Sequence, residues 1–190
     1  MNAKNRFLFT IIILICFGGY YLFSYVKAYN ISNNNESIQA SLTGWMNRGV
    51  NNEVSDEENL NLLKFVQIDS STSYIALYHL DNKYVGYAHF IKGINGKFKL
   101  DESGHKTGEV NYRDIKTNKG VYGVLVGRNV EKNIDNITTK LINEEYSYTT
   151  SVSNEAFFVK YNKIPSQFKK TFPAEITLFD ENNEIISKAN

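Results

Sequence analysis

The feature that most constrains this chain is an uninterrupted apolar run near its N-terminus. Residues 7–26 read FLFTIIILICFGGYYLFSYV and include no charged side chain. About 20 helical residues rise ~30 Å, which matches the hydrocarbon thickness of a bilayer. The sequence therefore predicts a membrane-spanning helix at residues 7–26, preceded by a short tail at residues 1–6.

The charges on either side of this run predict its orientation. Lys4 and Arg6 precede the run, whereas between Lys27 and Lys64 the only basic residue is Arg48, among five acidic residues. Basic flanks favour the cytoplasmic side of a membrane. We therefore expect a single-pass protein of the cell membrane, with a cytoplasmic N-terminus and an extracytoplasmic C-terminal domain.

A cleaved leader is the alternative to a permanent signal anchor. Val26 and Ala28 place small residues at the two positions that a signal peptidase inspects, and cleavage after Ala28 would release a secreted domain beginning at Tyr29. The apolar core of a secretory signal usually spans only about 7–15 residues. The length of the run favours the uncleaved anchor.

Composition limits what the remaining chain can be. The only cysteine, Cys16, lies within the apolar run, so the rest of the chain can form neither a disulfide nor a cysteine metal site. A formal net charge of +1 offers no field that would recruit nucleic acid. We expect one domain at residues 37–190, joined to the helix by a polar linker at residues 27–36, with no cofactor and no metal.

Short helices are predicted at the start of this domain. Ile38, Leu42, Trp45 and Met46 recur at helical spacing between a cap at Asn35 and a stop at Gly49. We expect this apolar face to pack on the domain, and the alternative is that Trp45 and Met46 enter the membrane surface. Residues 55–58, with the sequence SDEE, fit a capping box and predict a further helical turn.

The rest of the domain reads as strands. Apolar and aromatic runs rich in β-branched residues alternate with Asn, Asp and Gly turns, which is typical of antiparallel sheets. The runs are LKFVQI (63–68), SYIALYHL (73–80), KYVGYAHFIKGI (83–94), KFKL (97–100), VYGVLV (121–126), ITTKLI (137–142), YSYTTSV (146–152), AFFVKY (156–161), EITLFD (175–180) and EIIS (184–187). The fold class is therefore mainly β (α+β), one antiparallel β-rich domain with one or two short helices.

The histidines give one candidate for catalysis. His79 and His89 fall on neighbouring strands, about four positions apart along the ladder, or over ~13 Å, too far to share a metal ion. His105 lies in DESGHKTGE, read as a polar loop. There it would act as a general base with Asp101 or Glu102, so an envelope hydrolase is the alternative function.

Lysines and aromatic residues gather in the segment between Pro165 and Pro173 and just before it. Lys163, Phe168, Lys169 and Lys170 form a candidate interaction surface for an anionic envelope polymer or for headgroups. The alternative interpretation is an ordinary solvated face.

The N-terminal anchor, the richness in Asn, Lys, Ile and Tyr, and the closing hairpin LFDENNEIIS resemble the small membrane-anchored envelope proteins of Bacillus-type bacteria. The resemblance implies an extracytoplasmic domain and transfers no catalytic residue. With no catalytic constellation in the sequence, we expect a non-enzymatic binding or interaction module. Its partners would be an envelope protein, a peptide or an anionic polymer.

Overall fold

The computed structural model describes residues 3–48, 60–80, 84–106 and 108–189. The first helix, α1, spans Ala3–Ala28 and contains the predicted apolar run. Its side chains are largely exposed, with Leu14 and Phe17 at 65% and 71%. Within α1, Phe9–Ala28 is long and apolar enough to cross a membrane.

The second helix, α2, spans Asn35–Met46 and confirms the predicted short helix. Its cap is Asn34, one residue earlier than expected, because the Asn34 side chain accepts a hydrogen bond from the Ser37 backbone N–H at 2.8 Å. Ile38 and Leu42 are fully buried against the first sheet, and Met46 packs against the same cluster. The apolar face therefore packs on the domain. The helical turn predicted at residues 55–58 lies outside the described residues.

The described part of the chain contains eleven strands in three antiparallel sheets. Sheet A has the order β1-β2-β3-β4, sheet B the order β5-β6-β9, and sheet C the order β11-β10-β7-β8. The strands are β1 Leu60–Gln67, β2 Ser73–Leu80, β3 Tyr84–Lys92, β4 Phe98–Lys106, β5 Val110–Thr117, β6 Gly120–Arg128, β7 Asn136–Leu141, β8 Ser147–Ser151, β9 Phe157–Lys163, β10 Ala174–Phe179 and β11 Ile185–Ala189. The mainly β, antiparallel class is confirmed.

The sheets stack in layers with sheet B in the middle. One face of sheet A packs on α2, and its other face meets sheet B through residues such as Leu77 and Val124. The opposite face of sheet B packs on sheet C through Leu125, Phe158 and Ile137. Strand β6 is buried on both faces, so VYGVLV reads as a continuous apolar run rather than an alternating one.

Two features of the sheets differ from expectation. The predicted loop DESGHKTGE is largely strand, since β4 continues to Lys106 and pairs with β3, opposing His105 to Gly86. Strand β5, with the sequence VNYRDIKT, was not predicted because polar residues interrupt its apolar pattern. Backbone pairing with a neighbouring strand stabilises both segments irrespective of side-chain polarity.

The segment between the two helices is attached to sheet A. Helix α1 continues to Ala28, two residues beyond the predicted span. Ile31 forms an antiparallel bridge with Phe98, with N···O distances of 3.0 and 2.8 Å. The expected linker at residues 27–36 therefore includes the end of α1, a bridge to the sheet and the cap of α2.

Candidate binding cleft

The predicted interaction surface lies at an open cleft of about 520 Å³. The β5–β6 turn, the end of β9 and the segment that follows β9 form its walls. We call it the lysine cleft, and its lining residues are Lys119, Gly120, Val121, Lys163, Ile164, Pro165, Ser166, Phe168, Lys169 and Thr171.

The structure brings together three of the four residues predicted for this surface. Lys163, Phe168 and Lys169 line the cleft, whereas Lys170 does not. Lys160, three residues before Lys163 on β9, makes an ion pair with Glu155, with Nζ and Oε1 2.5 Å apart. The cluster therefore divides into Lys163 and Lys169, which line the cleft, and Lys160 and Lys170, which do not.

The C-terminal part of the segment after β9 is held in place by hydrogen bonds at residues 169–171. The Glu144 carboxylate accepts hydrogen bonds from the backbone N–H groups of Lys170 and Lys169, at 2.9 and 3.0 Å, and these bonds lower the pKa of Glu144. Farther along, the Tyr112 hydroxyl donates to the Thr171 carbonyl oxygen at 2.7 Å. The ionised Glu144 side chain thus fixes the backbone that carries Lys169.

Apolar residues that belong to the core form one side of the cleft. Ile164 is 2% exposed, and its backbone N–H donates to the Val121 carbonyl oxygen at 2.9 Å. Phe168 packs against the core between sheets B and C, with its ring centroid 5.0 Å from that of Tyr146. This side of the cleft is consequently held in place by core packing and is preorganised.

The charges that line the cleft are positive. Lys119, Lys163 and Lys169 are its charged lining residues. Nearby, Asp69 accepts a hydrogen bond from the Tyr122 hydroxyl at 2.8 Å, and this bond lowers the pKa of Asp69, with smaller contributions from Lys163 and Lys119. Basic groups beside an apolar wall suit a ligand that carries both carboxylates and apolar groups.

The histidines do not form a metal site in the part of the chain that the structure describes. His79 opposes Val85 and His89 opposes Ile75, so the separation of four positions along β2 is as predicted. Among the described residues, no group of three or more His, Cys, Asp or Glu side chains is placed to hold a metal ion.

Asp101, one of the two carboxylates expected to orient His105, has other partners. Asp101 Oδ1 lies 3.1 Å from Lys99 Nζ, and Asp101 Oδ2 lies 3.4 Å from His89 Nδ1. Burial lowers the pKa of His89 despite the opposing effect of Asp101, so at neutral pH this contact joins a neutral imidazole to a carboxylate. The side chain of His105 lies outside the described part of the structure, and the hydrolase hypothesis stays a prediction.

Several residues of the lysine cleft were not singled out from the sequence. Lys119 and Val121 come from the β5–β6 turn and β6, and they reach the cleft because β6 pairs with β9, with Tyr122 opposite Lys163. The glycine at position 120, which adopts a positive φ of 122°, was the one local clue in the sequence to this turn. It indicates a turn and does not indicate which segment lies beside it.

Comparison with known proteins gives no relative for this chain. No protein-family model, no curated protein and no solved structure matches it. The class of ligand is therefore inferred from the residues that line the cleft.

Proposed function

We propose that this protein is a single-pass membrane protein whose extracytoplasmic domain is a non-enzymatic binding module for an acidic peptide segment of an envelope protein. The observation that carries the proposal is the lysine cleft, where three lysines stand beside a preorganised apolar wall. The N-terminal helix supplies the anchor, and the basic residues that precede it favour a cytoplasmic N-terminus.

The chemistry of the cleft favours a peptide over a phosphate polymer. A polyphosphate chain would satisfy Lys163 and Lys169 and would leave the exposed parts of Val121 and Phe168 in contact with water. An acidic peptide offers carboxylates to the lysines and apolar side chains to the wall. Removal of this apolar surface from water favours the peptide complex, so the wall discriminates between the two ligands.

The cleft lies at the end of the sheets that contacts α1. The Lys92 backbone N–H donates to the Thr72 carbonyl oxygen at 2.8 Å, and the Thr72 N–H donates to Asn118 Oδ1 at 3.0 Å. Asn118 precedes Lys119 in the β5–β6 turn, and Lys92 precedes the β3–β4 turn, which contacts Tyr25 of α1. A ligand in the cleft would therefore lie near the membrane surface.

The orientation is testable by cysteine labelling, since Cys16 is the chain's only cysteine. In a Cys16→Ser background, Lys188→Cys places a thiol at a position whose side chain is 57% exposed. We expect a membrane-impermeant maleimide to label this variant in intact cells and to label Asn5→Cys only after permeabilisation. The reverse pattern would place the domain in the cytoplasm. A mature N-terminus at Tyr29 by mass spectrometry would identify a secreted domain instead.

The ligand class is testable with an array of octapeptides and full-length protein in detergent micelles. We expect peptides with both acidic and large apolar residues to bind more tightly than peptides with acidic, Gly and Ser residues alone. The double variant Lys163→Gln/Lys169→Gln should weaken binding about tenfold or more, because it leaves ligand carboxylates without partners.

A matched control removes the same charge away from the cleft. Lys140→Gln/Lys188→Gln replaces two lysines on sheet C that do not line it, and its affinity should change by no more than about twofold, since distant exposed charges act weakly at physiological salt. Unchanged binding by the Lys163/Lys169 variant would exclude the cleft as the binding site. Equal retention of polyphosphate and of acidic apolar peptides would assign the cleft to an anionic polymer.

A further inference from the structure

A second cleft, of about 510 Å³, lies where α1 enters the domain. The end of α1, the C-terminal part of α2 and strand β4 form its walls. Its basic residues are Lys27 at the end of α1, Arg48 just after α2 and Lys99 in β4, and Trp45 of α2 also lines it. We call it the juxtamembrane cleft.

The charges around this cleft are predominantly positive. None of the described residues that line it is acidic. The Arg48 guanidinium lies 5.0 Å from the centroid of the Trp45 ring, and Lys99 Nζ lies 5.8 Å from that of Tyr29. Asp101 contacts Lys99 at 3.1 Å and offsets one of the three charges. The cleft keeps an excess of positive charge and is therefore suited to an anion of phosphate type.

Contacts between α1 and the β3–β4 turn set the position of this cleft along the axis of α1. The Tyr25 hydroxyl oxygen accepts a hydrogen bond from the Ile94 backbone N–H at 2.6 Å, and the rings of Tyr25 and Tyr29 stack 4.5 Å apart. Lys27 follows Tyr25 by two residues, or about 3 Å along the helix axis. Tyrosines at the end of a spanning helix lie at the headgroup level. The cleft would share that level.

The tip of the same turn carries an apolar side chain exposed to solvent. Ile94 is 94% exposed, although its backbone is fixed by the bond to Tyr25. At headgroup depth this side chain would meet the boundary of the acyl chains, where burial of apolar surface is favourable. The turn would thus hold the base of the domain against the bilayer.

We infer that the juxtamembrane cleft binds the phosphate headgroup of an anionic phospholipid from the leaflet on the domain side. Lys27, Arg48 and Lys99 hold the phosphate, Trp45 lies beside it, and Ile94 meets the membrane interface from the β3–β4 turn. This inference rests on the proposed function, since it requires that α1 spans the bilayer. The bound lipid would fix the domain's tilt and keep the lysine cleft close to the membrane surface.

Trp45 provides the readout because it is the chain's only tryptophan. The full-length protein is reconstituted in nanodiscs of phosphatidylcholine with increasing fractions of phosphatidylglycerol. We expect a saturable change in Trp45 emission, and native mass spectrometry should show retained phosphatidylglycerol. The double variant Lys27→Gln/Lys99→Gln should raise the phosphatidylglycerol fraction at half-saturation about fivefold or more, because each basic residue near an anionic surface contributes to the binding free energy. Lys188→Gln/Lys140→Gln is the matched control and should leave it unchanged.

The outcomes separate this inference from the proposed function. A chain that inserts into the discs and responds identically to both lipids overturns the headgroup site alone. An equal Trp45 response to millimolar inorganic phosphate overturns the lipid as the source of the anion. A chain that elutes free of lipid after reconstitution overturns the spanning helix, and the headgroup site with it.

Discussion

Replacing Phe158 with alanine is expected to lower the domain's free energy of unfolding by about 3–5 kcal/mol. Phe158 has no exposed surface and lies in the core between sheets B and C, and its ring approaches the backbone at Gly127. Removal of its ring would leave a cavity between sheets B and C. A typical domain is stable by about 5–15 kcal/mol, so this one change removes a large part of the total.

Urea unfolding of the full-length protein in detergent, monitored by the circular dichroism signal of β-strands, measures the loss of unfolding free energy. Tyr161→Ala is the control, because Tyr161 lies on the same strand and is 37% exposed. Its expected cost is about 1 kcal/mol or less, the usual range for a partly exposed strand position. Equal losses in the two variants would contradict the packing of sheet C on sheet B.

Strand positions were predictable because their signal is local. Residues 146–152 alternate apolar and polar side chains, and in β8 the even-numbered residues are indeed half-buried while the odd-numbered ones are exposed. Assignment of strands to sheets was not predictable, because it depends on pairing between distant segments. Strand β9 joins β6 in sheet B, whereas β7 and β8, which lie between them in sequence, belong to sheet C.

Strand β5 shows why polar segments were missed. Arg113 contributes to packing, with its guanidinium 5.6 Å from the rings of both Tyr87 and Phe172. Asp114 accepts a hydrogen bond from the Thr171 hydroxyl at 2.5 Å. These partners come from other strands and loops, so the composition of VNYRDIKT alone gives no indication that its polar side chains are satisfied in a sheet.

The two clefts differ in how far the sequence predicted them. Lys163, Phe168 and Lys169 lie within a few residues of one another, and their clustering was visible along the chain. The basic residues of the juxtamembrane cleft are far apart in sequence and meet only because Ile31 pairs with Phe98 and α2 packs on sheet A. A cluster formed by tertiary contacts leaves no local pattern in a single sequence.

The pairing register of β2 and β3 leads to the second prediction of a large loss of stability. The structure pairs Tyr78 with Gly86. A Cβ atom at Gly86 would lie 2.3 Å from Tyr78 Cζ. The Tyr78 ring cannot move aside easily, because it is 1% exposed in the cluster under α2 and its hydroxyl is 2.8 Å from the Ser103 hydroxyl. Gly86→Ala is therefore expected to destabilise the domain by about 1–3 kcal/mol, the usual cost of overpacking.

Gly104→Ala is the matched control in the same sheet. A Cβ at Gly104 would lie 3.3 Å from the edge of the Tyr87 ring, a much milder contact. Alanine also loses less backbone entropy on folding than glycine, so this variant should be close to neutral in urea unfolding. In a Tyr78→Leu background the steric conflict at Gly86 is removed, and the cost of Gly86→Ala should largely disappear. An equal cost in both backgrounds would show that Gly86 does not face Tyr78 and that β2 and β3 pair in another register.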